Sequence, residues 1–233
     1  MAKSYQTGQD NTYCYPGTNV LKNKMNIHDN RFLWETERRI TSLTDAKIRH
    51  QNNLPNKIDS NYLQSLHKQL FEPIYEWAGK FRTVEIAKGE MFCNSMFIKE
   101  QLQKTFDELN ADMELKQTTD KTIIADKLAY YMSEINAVHP FREGNGRTQR
   151  LLMQKIAQKK GFELDFRKTE QNEMIDASKA SFMCNYEPMK KVFNKIITPL
   201  EQTDMQQSTG RGHEFDAMFE TWKQDKTTDN QYQ

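Results

Sequence analysis

The stretch from Ile135 to Arg150, INAVHPFREGNGRTQR, concentrates a histidine, an acid, two glycines and several arginines in one short segment. A free imidazole titrates near neutral pH, so His139 suits the role of a general base. Glu143 supplies a carboxylate, a ligand that Mg²⁺ accepts. Gly144 and Gly146 allow the backbone to fold so that successive N–H groups surround an anion. The stretch therefore predicts a phosphate-binding site beside a base.

The arginines of this stretch strengthen that prediction. Arg147 and Arg150 are three residues apart, so they share one face of a helix. A helix N-terminus adds free N–H groups and a partial positive charge. Two guanidiniums beside such amides fit the polyphosphate of a nucleotide better than a single carboxylate. We expect Asn145 to donate its side-chain amide to a phosphate, Phe141 to anchor the loop in the core, and Arg142 to face solvent.

The segments around this stretch read mainly as α-helices. Apolar residues recur at helical spacing, and capping residues or glycines bound several of the segments. Asp29 is the predicted cap of one helix, Ser60 of another, and Thr119 or Asp120 of a third. The predicted helices cover residues 18–27, 29–51, 60–79, 97–114, 120–138, 146–161, 169–183 and 186–200.

One segment, RTVEIAKGEMFCN at residues 82–94, has a different pattern. Val84 and Ile86 alternate with Glu85, and Gly89 falls where a turn is needed, which predicts a β-hairpin. It is the only strand pair that the sequence predicts. A lone hairpin in a helical domain is marginal unless it is packed or used. It either covers the core or offers a strand edge to an extended peptide.

The chain divides by composition into three parts. Residues 1–19 read as an irregular N-terminal arm that ends in the turn signal Pro16-Gly17. Residues 20–200 form the helical domain. Residues 201–233 are a polar C-terminal tail with one short predicted helix around 215–222. Such a tail also fits the N-terminal piece of a longer protein that continues into a further domain.

Composition excludes several classes of function. The 33 basic and 32 acidic residues give a net charge of +1, so we expect no nucleic-acid surface. We expect no membrane span, because long apolar runs are missing, and the polar N-terminus does not resemble a signal peptide. Cys14, Cys93 and Cys184 are far apart and lack metal-ligand spacing. They read as reduced thiols of a cytosolic protein, without zinc or disulfides.

The segment from His139 to Arg150 matches HxFx(D/E)GNGRxxR, the signature of the Fic family, at every defined position. The hairpin TVEIAKG resembles the flap of that family, and residues 13–29 resemble the start of bacterial cell-filamentation Fic proteins. The resemblance covers roughly residues 12–200. It implies the Fic fold, a mainly α helical bundle with a single β-hairpin flap.

The resemblance also implies an activity, protein adenylylation (AMPylation). Most Fic domains transfer AMP from ATP to a Tyr, Thr or Ser hydroxyl of a target protein and release pyrophosphate. By resemblance, His139 is the general base and Glu143 holds Mg²⁺. The remaining roles are phosphate binding by Gly144, Asn145, Gly146, Arg147 and Arg150, nucleotide covering by Lys88 and Gly89, and docking of the target along the flap residues Thr83, Val84, Glu85, Ile86 and Ala87.

Many Fic proteins carry an inhibitory helix with the motif (S/T)xxxE(G/N), whose glutamate pairs with the second arginine of the signature, here Arg150. The nearest match is Thr169 to Glu173, but Met174 follows it. We therefore expect no inhibitory helix in this chain. The resemblance then implies a bacterial toxin restrained by a small antitoxin protein, or an effector injected into a host cell. The expected location is the bacterial cytoplasm, or the host cytosol without a cleaved signal peptide.

Three alternatives remain beside AMP transfer. A Fic relative can act as a kinase or transfer UMP or phosphocholine, although the retained Gly146-Arg147 pair favours AMP transfer. A catalytically silent module would use the flap to bind a partner strand, and intact His139 and Glu143 count against it. A metal-dependent hydrolase is disfavoured because the other histidines are isolated in sequence. These are His28, His50, His67 and His213.

Overall fold

The computed structural model describes residues 10–49, 51 and 53–200, and α-helices dominate this part of the chain, as predicted. The predicted tail, with its helix around 215–222, lies outside the described residues, as does the arm before Asp10. None of the described helices is long and apolar enough to cross a membrane. The helices are α1 (Asn30–Arg49), α2 (Ser60–Phe71), α3 (Ile98–Ala111), α4 (Met113–Gln117), α5 (Lys121–Val138), α6 (Asn145–Lys159), α7 (Gln171–Phe182) and α8 (Glu187–Ile196).

Aspartate side chains fix where several helices begin. Asp29 accepts the backbone N–H of Phe32 at 2.7 Å, which confirms the predicted cap of α1. Asp120 caps α5 through two backbone N–H groups. For α2 the cap is Asp59, and the predicted cap, Ser60, is the first helical residue. A carboxylate at these positions satisfies N–H groups that the helix itself leaves without an acceptor.

One helix prediction needs correction, and the predicted interruption of another is confirmed. The helix predicted over residues 18–27 is wrong, because this segment is irregular. The side chain of Asn23 bonds to the backbone of Leu21 at 3.0 Å and of Ile27 at 2.8 and 2.9 Å, which gives the backbone partners other than helical ones. For residues 60–79 the sequence predicts a helix that Pro73 kinks or interrupts, because proline cannot donate a helical hydrogen bond. The structure confirms the interruption, since α2 ends at Phe71, two residues before Pro73.

The core lies where α5 packs against α3, α6, α7 and α8, while α1 and α2 pack against α6. The predicted apolar stripe of α2 is confirmed. Its side chains Leu63, Leu66 and Leu70, together with Ile74 beyond the helix, are all fully buried. Burying each of them stabilises the fold by roughly 1.5–3 kcal/mol. This packing places the end of α5 and the start of α6 on the same rigid frame.

The predicted hairpin is present but short. Strands β1 (Ala87–Lys88) and β2 (Glu90–Met91) pair antiparallel around Gly89, whose φ is +93°. Val84 and Ile86 precede β1 instead of belonging to it.

A second strand pair was not predicted. Strands β3 (Phe162–Leu164) and β4 (Ile197–Pro199) form an antiparallel pair at the C-terminal side of the domain. The expectation of only one strand pair was therefore wrong. β4 also explains why α8 stops at Ile196, short of the predicted residue 200, since β-branched Ile197 and Thr198 suit a strand.

Candidate active site

His139 occupies a distinctive position at the end of α5. It is the C-cap of that helix and has left-handed backbone angles (φ 49°, ψ 62°), which non-glycine residues rarely adopt. Its Nδ1 lies 3.1 Å from the carbonyl oxygen of Asn136, so Nδ1 carries the proton and Nε2 is the acceptor. Burial lowers the pKa of His139 to about 3, and the charges of Lys88 and Arg82 act in the same direction. The ring is therefore neutral at neutral pH, with Nε2 able to take a proton.

The hairpin lies directly against this histidine. The ring of Phe92, just after β2, stacks on the imidazole of His139 with a centroid distance of 3.8 Å and an interplanar angle of 18°. Phe92 also makes an edge-on contact with Phe182 at the end of α7. The imidazole is thus held at its edge by Asn136 and on its face by the hairpin.

The loop between α5 and α6 is closed by Asn145. Its Oδ1 accepts the N–H of Phe141 at 2.9 Å, and its Nδ2 donates to the carbonyl of Phe141 at 2.7 Å. Phe141 is buried, which confirms that it anchors the loop. The Asn145 amide, expected to donate to a phosphate, is engaged within the loop. Its backbone N–H remains at the start of α6.

The first turn of α6 contains the backbone N–H groups of the predicted anion nest, and anion binding there stays a prediction. The first intrahelical acceptor, the carbonyl of Gly144, binds the N–H of Thr148. The N–H groups of Asn145, Gly146 and Arg147 therefore have no acceptor within the helix, and they carry the positive end of its dipole.

The two signature glycines differ in how little space surrounds them. Gly144 has φ +83°, and a Cβ there would lie 2.3 Å from Cζ of Phe71. A Cβ at Gly146 would lie 3.3 Å from Nη1 of Arg150. Gly144 thus lets the loop pack on α2, and Gly146 leaves room for the guanidinium of Arg150.

Glu143 has one carboxylate oxygen available. Its Oε1 accepts the N–H of Gly144 at 2.9 Å and lies 3.5 Å from Nη2 of Arg147. Its Oε2 makes no hydrogen bond or ion pair within the described residues. Burial raises the pKa of Glu143, and the charge of Glu37 adds to this effect, while Arg147 opposes it.

This donor set fits Mg²⁺. The ion usually takes one or two carboxylates and completes its shell with waters and phosphate oxygens. Across residues 10–49, 51 and 53–200, no group of three or more His, Cys, Asp or Glu side chains could hold a metal by itself. The free Oε2 of Glu143 beside the anion nest suits an ion shared with bound phosphates.

The two signature arginines have different environments. Arg147 forms an ion pair with Glu37, donates to Oγ1 of Thr41 at 3.2 Å and lies over the ring of Phe71 at 4.7 Å. Arg150 makes no hydrogen bond or ion pair to any described residue. Burial lowers the pKa of Arg150 to about 10, aided by the charge of Arg147, so Arg150 stays charged at neutral pH. It is the signature arginine that is available to an anion.

His67 is a residue whose importance the sequence does not reveal. Its Nδ1 accepts the N–H of Gly79 at 2.8 Å, and its Nε2 donates to the carbonyl of Glu143 at 3.0 Å. Its ring stacks between Phe71 and Phe141 at 4.6 and 3.9 Å. Burial lowers the pKa of His67 to about 3, so the ring is neutral. His67 therefore fixes the position of the loop, although it stands alone in the sequence.

Arg142 corrects another expectation. We predicted that it would face solvent, but its side chain is only 6% exposed and its Nε lies 2.7 Å from Oδ2 of Asp10. Its Nη2 also contacts Sγ of Cys14 at 3.7 Å. The cause is the described part of the arm, residues 10–19, which covers Arg142 through Asp10 and Cys14. From the same arm, the hydroxyl of Tyr13 accepts the N–H of Thr83 at 3.2 Å.

The residues predicted to dock a target, Thr83 to Ala87, contact the arm at one end and the segment after the hairpin. Thr83 bonds to the arm, and Oε1 of Glu85 accepts both the N–H and the hydroxyl of Ser95 at 2.9 and 2.6 Å. The carbonyl of Ile86 accepts the N–H of Phe92, while Lys88 is exposed at the tip. Docking of a target at these residues stays a prediction.

Residues 57–157 match the model of the Fic/DOC family. The chain is 37% identical over 186 residues to "Probable protein adenylyltransferase y4lH" of Sinorhizobium fredii, covering 79% of this chain and 94% of that protein. It is 31% identical over 192 residues to "Protein adenylyltransferase VbhT" of Bartonella schoenbuchensis, covering 82% of this chain. This match spans only 40% of VbhT.

Solved structures show the same fold. The BepC effector of Bartonella tribocorum with bound AMPPNP has a TM-score of 0.76 and 31% identity, covering 83% of this chain and 99% of that chain. The N-terminal Fic domain of a VirB-translocated Bep effector of Bartonella quintana with bound ADP also has a TM-score of 0.76 and 31% identity. It covers 83% of this chain and 98% of that chain.

Proposed function

The chain belongs to the Fic/DOC family, and we propose that it is a protein adenylyltransferase, which transfers AMP from ATP to a Tyr, Thr or Ser hydroxyl of a target protein. The observation that carries this proposal is the neutral His139 at one end of the short loop 140–144, with the N–H groups that open α6 at the other end. A base and a phosphate site in adjacent positions suit attack by a hydroxyl on a nucleotide. Relatives that are named protein adenylyltransferases support the same reaction.

The proposed reaction starts at Nε2 of His139, which takes the proton of the target hydroxyl. The hydroxyl oxygen attacks the α-phosphorus, the bond from that phosphorus to the bridging oxygen of the β-phosphate breaks, and pyrophosphate leaves. The carbonyl of Asn136 holds Nδ1–H throughout, so it stabilises the imidazolium that forms. Proton removal of this kind contributes roughly 10²–10⁴-fold to the rate.

The phosphates are proposed to bind at the start of α6. The N–H groups of Asn145, Gly146 and Arg147 face the α- and β-phosphates, and Arg150 binds the γ end. Glu143 would hold Mg²⁺ through Oε2. When bound, the ion neutralises charge on the phosphates. Gly144 keeps the loop close to α2, which fixes the backbone at the start of α6. Structural neighbours solved with AMPPNP and ADP support nucleotide binding.

The hairpin is proposed to dock the target. An extended segment aligned with residues 83–87 would lie beside His139, because Phe92 of the same hairpin stacks on the histidine ring. Lys88 and Gly89 at the tip would cover the nucleotide. Main-chain pairing would hold the target backbone and leave its hydroxyl free to reach Nε2.

Restraint of the activity is proposed to come from a separate protein. The chain lacks the (S/T)xxxE(G/N) motif, and Arg150 makes no ion pair to any described residue. A glutamate from a small antitoxin could therefore form an ion pair with Arg150. The relation to translocated Bartonella effectors supports the other setting, in which the protein acts in a host cell.

Labelled ATP tests the proposed reaction. The protein is incubated with cell lysate, Mg²⁺ and ATP that carries the label on either the α- or the γ-phosphate. We expect protein-bound label from the α-phosphate only. Label from the γ-phosphate only would indicate a kinase. Absence of label from both would contradict transfer from ATP and favour a silent strand-binding module.

A further inference from the structure

Arg82 is a fully buried cation at the base of the hairpin. The residue is 2% exposed and its side chain is 0% exposed. Glu85 lies 3.6 Å from its Nη1, but the side chain of Glu85 is 39% exposed. Burying a guanidinium is unfavourable unless its donors are satisfied. The position of Arg82 therefore depends on the acceptors around it.

Those acceptors are backbone carbonyls from two parts of the chain. At the helix end, Nε donates to His139 at 2.9 Å and Nη2 to Val138 at 3.3 Å. At the hairpin, Nη1 donates to the carbonyl of Val84 at 2.8 Å and Nη2 to that of Cys93. One planar group thus joins both ends of the hairpin to the end of α5.

The acceptors at the helix end suit a cation. Carbonyls in the last turn of a helix lack intrahelical partners and carry the negative end of its dipole. His139 is held in a left-handed conformation that a free chain rarely adopts, so its carbonyl needs a fixed partner. Two main-chain bonds run beside the side-chain contacts, from Arg82 N to Pro140 O at 2.9 Å and from Cys93 N to Ala137 O at 3.2 Å.

We propose that Arg82 is a positioning residue that sets the hairpin and the general base His139 at a fixed distance and orientation. A target docked on the hairpin then presents its hydroxyl where Nε2 can reach it. This inference rests on the proposed function, because it takes His139 as the base and the hairpin as the docking edge. In this role Arg82 contacts neither the nucleotide nor the target.

Lysine cannot replace arginine in this position. The guanidinium is a planar fork with five N–H donors on three nitrogens, and all three nitrogens bond to these four carbonyls. A lysine keeps the charge but has one nitrogen, so it cannot reach both the helix end and the hairpin. Arg82→Lys therefore separates the geometry of the link from its charge.

The experiment compares Arg82→Lys with Arg31→Lys, a control on α1 whose side chain is 87% exposed. Three quantities are measured: transfer of α-label from ATP to lysate proteins, binding of ATP with Mg²⁺ by calorimetry, and the imidazole ¹H–¹⁵N spectrum of His139. For Arg82→Lys we expect transfer to fall by about 10²-fold, as for a displacement of about 1 Å at a reacting group. We expect ATP affinity to change less than about threefold, because the phosphate site lies on α6.

The spectrum gives a readout that does not depend on activity. In the wild type and in Arg31→Lys, His139 should show one tautomer with the proton on Nδ1. In Arg82→Lys the imidazole signals should shift or broaden as the ring loses its fixed orientation. Wild-type transfer, an unchanged spectrum, or a loss of ATP affinity as large as the loss of transfer would each overturn the inference.

Two further outcomes are distinguishable. If the wild type transfers no α-label, the proposed function fails, and the spectrum still tests the link between Arg82 and His139. If Arg82→Lys does not fold, Arg82→Gln takes its place, because a neutral amide costs less to bury than a cation with unsatisfied donors. Its single N–H₂ group cannot bond to both the helix end and the hairpin, so we expect the same fall in transfer and the same shift of the His139 signals. Unchanged transfer with an unchanged spectrum would overturn the inference.

Discussion

Glu37, a buried residue near the middle of α1, forms an ion pair with the partly exposed Arg147 in the first turn of α6. The hydroxyl of Tyr75 donates to the other oxygen of Glu37. Glu143 lies 3.5 Å from the same guanidinium. Two carboxylates therefore share one arginine, and Glu37 is the closer partner. This arrangement keeps Arg147 away from Oε2 of Glu143, the oxygen that we assign to Mg²⁺.

Glu37→Gln should weaken the binding of Mg²⁺ together with ATP. Without the carboxylate of Glu37, Arg147 is expected to move towards Glu143 and to compete with the metal. Changes at residues that support a metal ligand typically cost 10–100-fold in metal affinity, so we expect the Mg²⁺ concentration for half-maximal ATP binding to rise at least about tenfold. Calorimetric ATP titrations at increasing Mg²⁺ measure this. Tyr75→Phe is the control, since it removes one hydrogen bond to Glu37 and keeps the charge. An equal effect in both variants would contradict the argument.

Arg150→Ala should discriminate between nucleotides. Arg150 is charged and makes no ion pair within the described residues, and we assign it to the γ end of ATP. A hydrogen bond to a charged group contributes roughly 1.5–3 kcal/mol, so ATP affinity should fall about 10–100-fold while AMP affinity stays unchanged. Calorimetry with ATP and AMP measures both. Arg49→Ala, which removes a partner of Asp45, is the control. A parallel loss for ATP and AMP would contradict the assignment.

Gly144→Ala should disrupt the loop through a clash with Phe71. Gly161 has a similar positive φ, +81° against +83°, but nothing lies within 4 Å of a Cβ built there. Gly161→Ala therefore measures only the cost of placing a residue with a Cβ at positive φ, roughly 1–2 kcal/mol of stability. Gly144→Ala adds the clash with Phe71, and we expect transfer of the α-label from ATP to fall by about 10²-fold. Urea unfolding and α-label transfer separate the two effects. Equal transfer in both variants would show that Phe71 gives way.

Asp10→Asn tests the role of the arm. The side chains of Asp10 and Arg142 are only 3% and 6% exposed, and their ion pair is 2.7 Å long. Removing one partner of a buried pair costs about 3–5 kcal/mol, because the other charge stays buried. We expect the free energy of unfolding in urea to fall by about this amount. The exposed pair of Arg31 and Glu35 is the reference. Glu35→Gln should change the free energy of unfolding by less than about 1 kcal/mol. A similar small change in Asp10→Asn would show that the arm does not brace the loop.

The sequence predicts most of the helices and the sequence of functional groups from His139 to Arg150, because both depend on local patterns. Helical periodicity identifies α1, α3, α5 and α6, and the glycines around Asn145 predict the nest at the start of α6. These features need only residues within one or two turns of each other. The second strand pair was missed because β3 and β4 have three residues each and pair across the intervening helices.

The partners that hold the site could not be predicted, because they are distant in sequence. His67 is 76 residues from Glu143, Glu37 is 110 from Arg147, and Asp10 is 132 from Arg142. None of them stands in a motif of its own. They reach the site only because the described part of the arm, α1 and α2 pack against α6 and against the loop between α5 and α6.

The central claim is that His139 removes the proton of the target hydroxyl and does not bind the nucleotide. The most direct test is one measurement on His139→Ala, in which the rate of α-label transfer and the affinity for ATP with Mg²⁺ are determined on the same preparation. We predict that transfer falls by at least about 10²-fold while ATP affinity changes less than about threefold. Transfer within about tenfold of the wild type, or a loss of affinity as large as the loss of rate, would contradict the account.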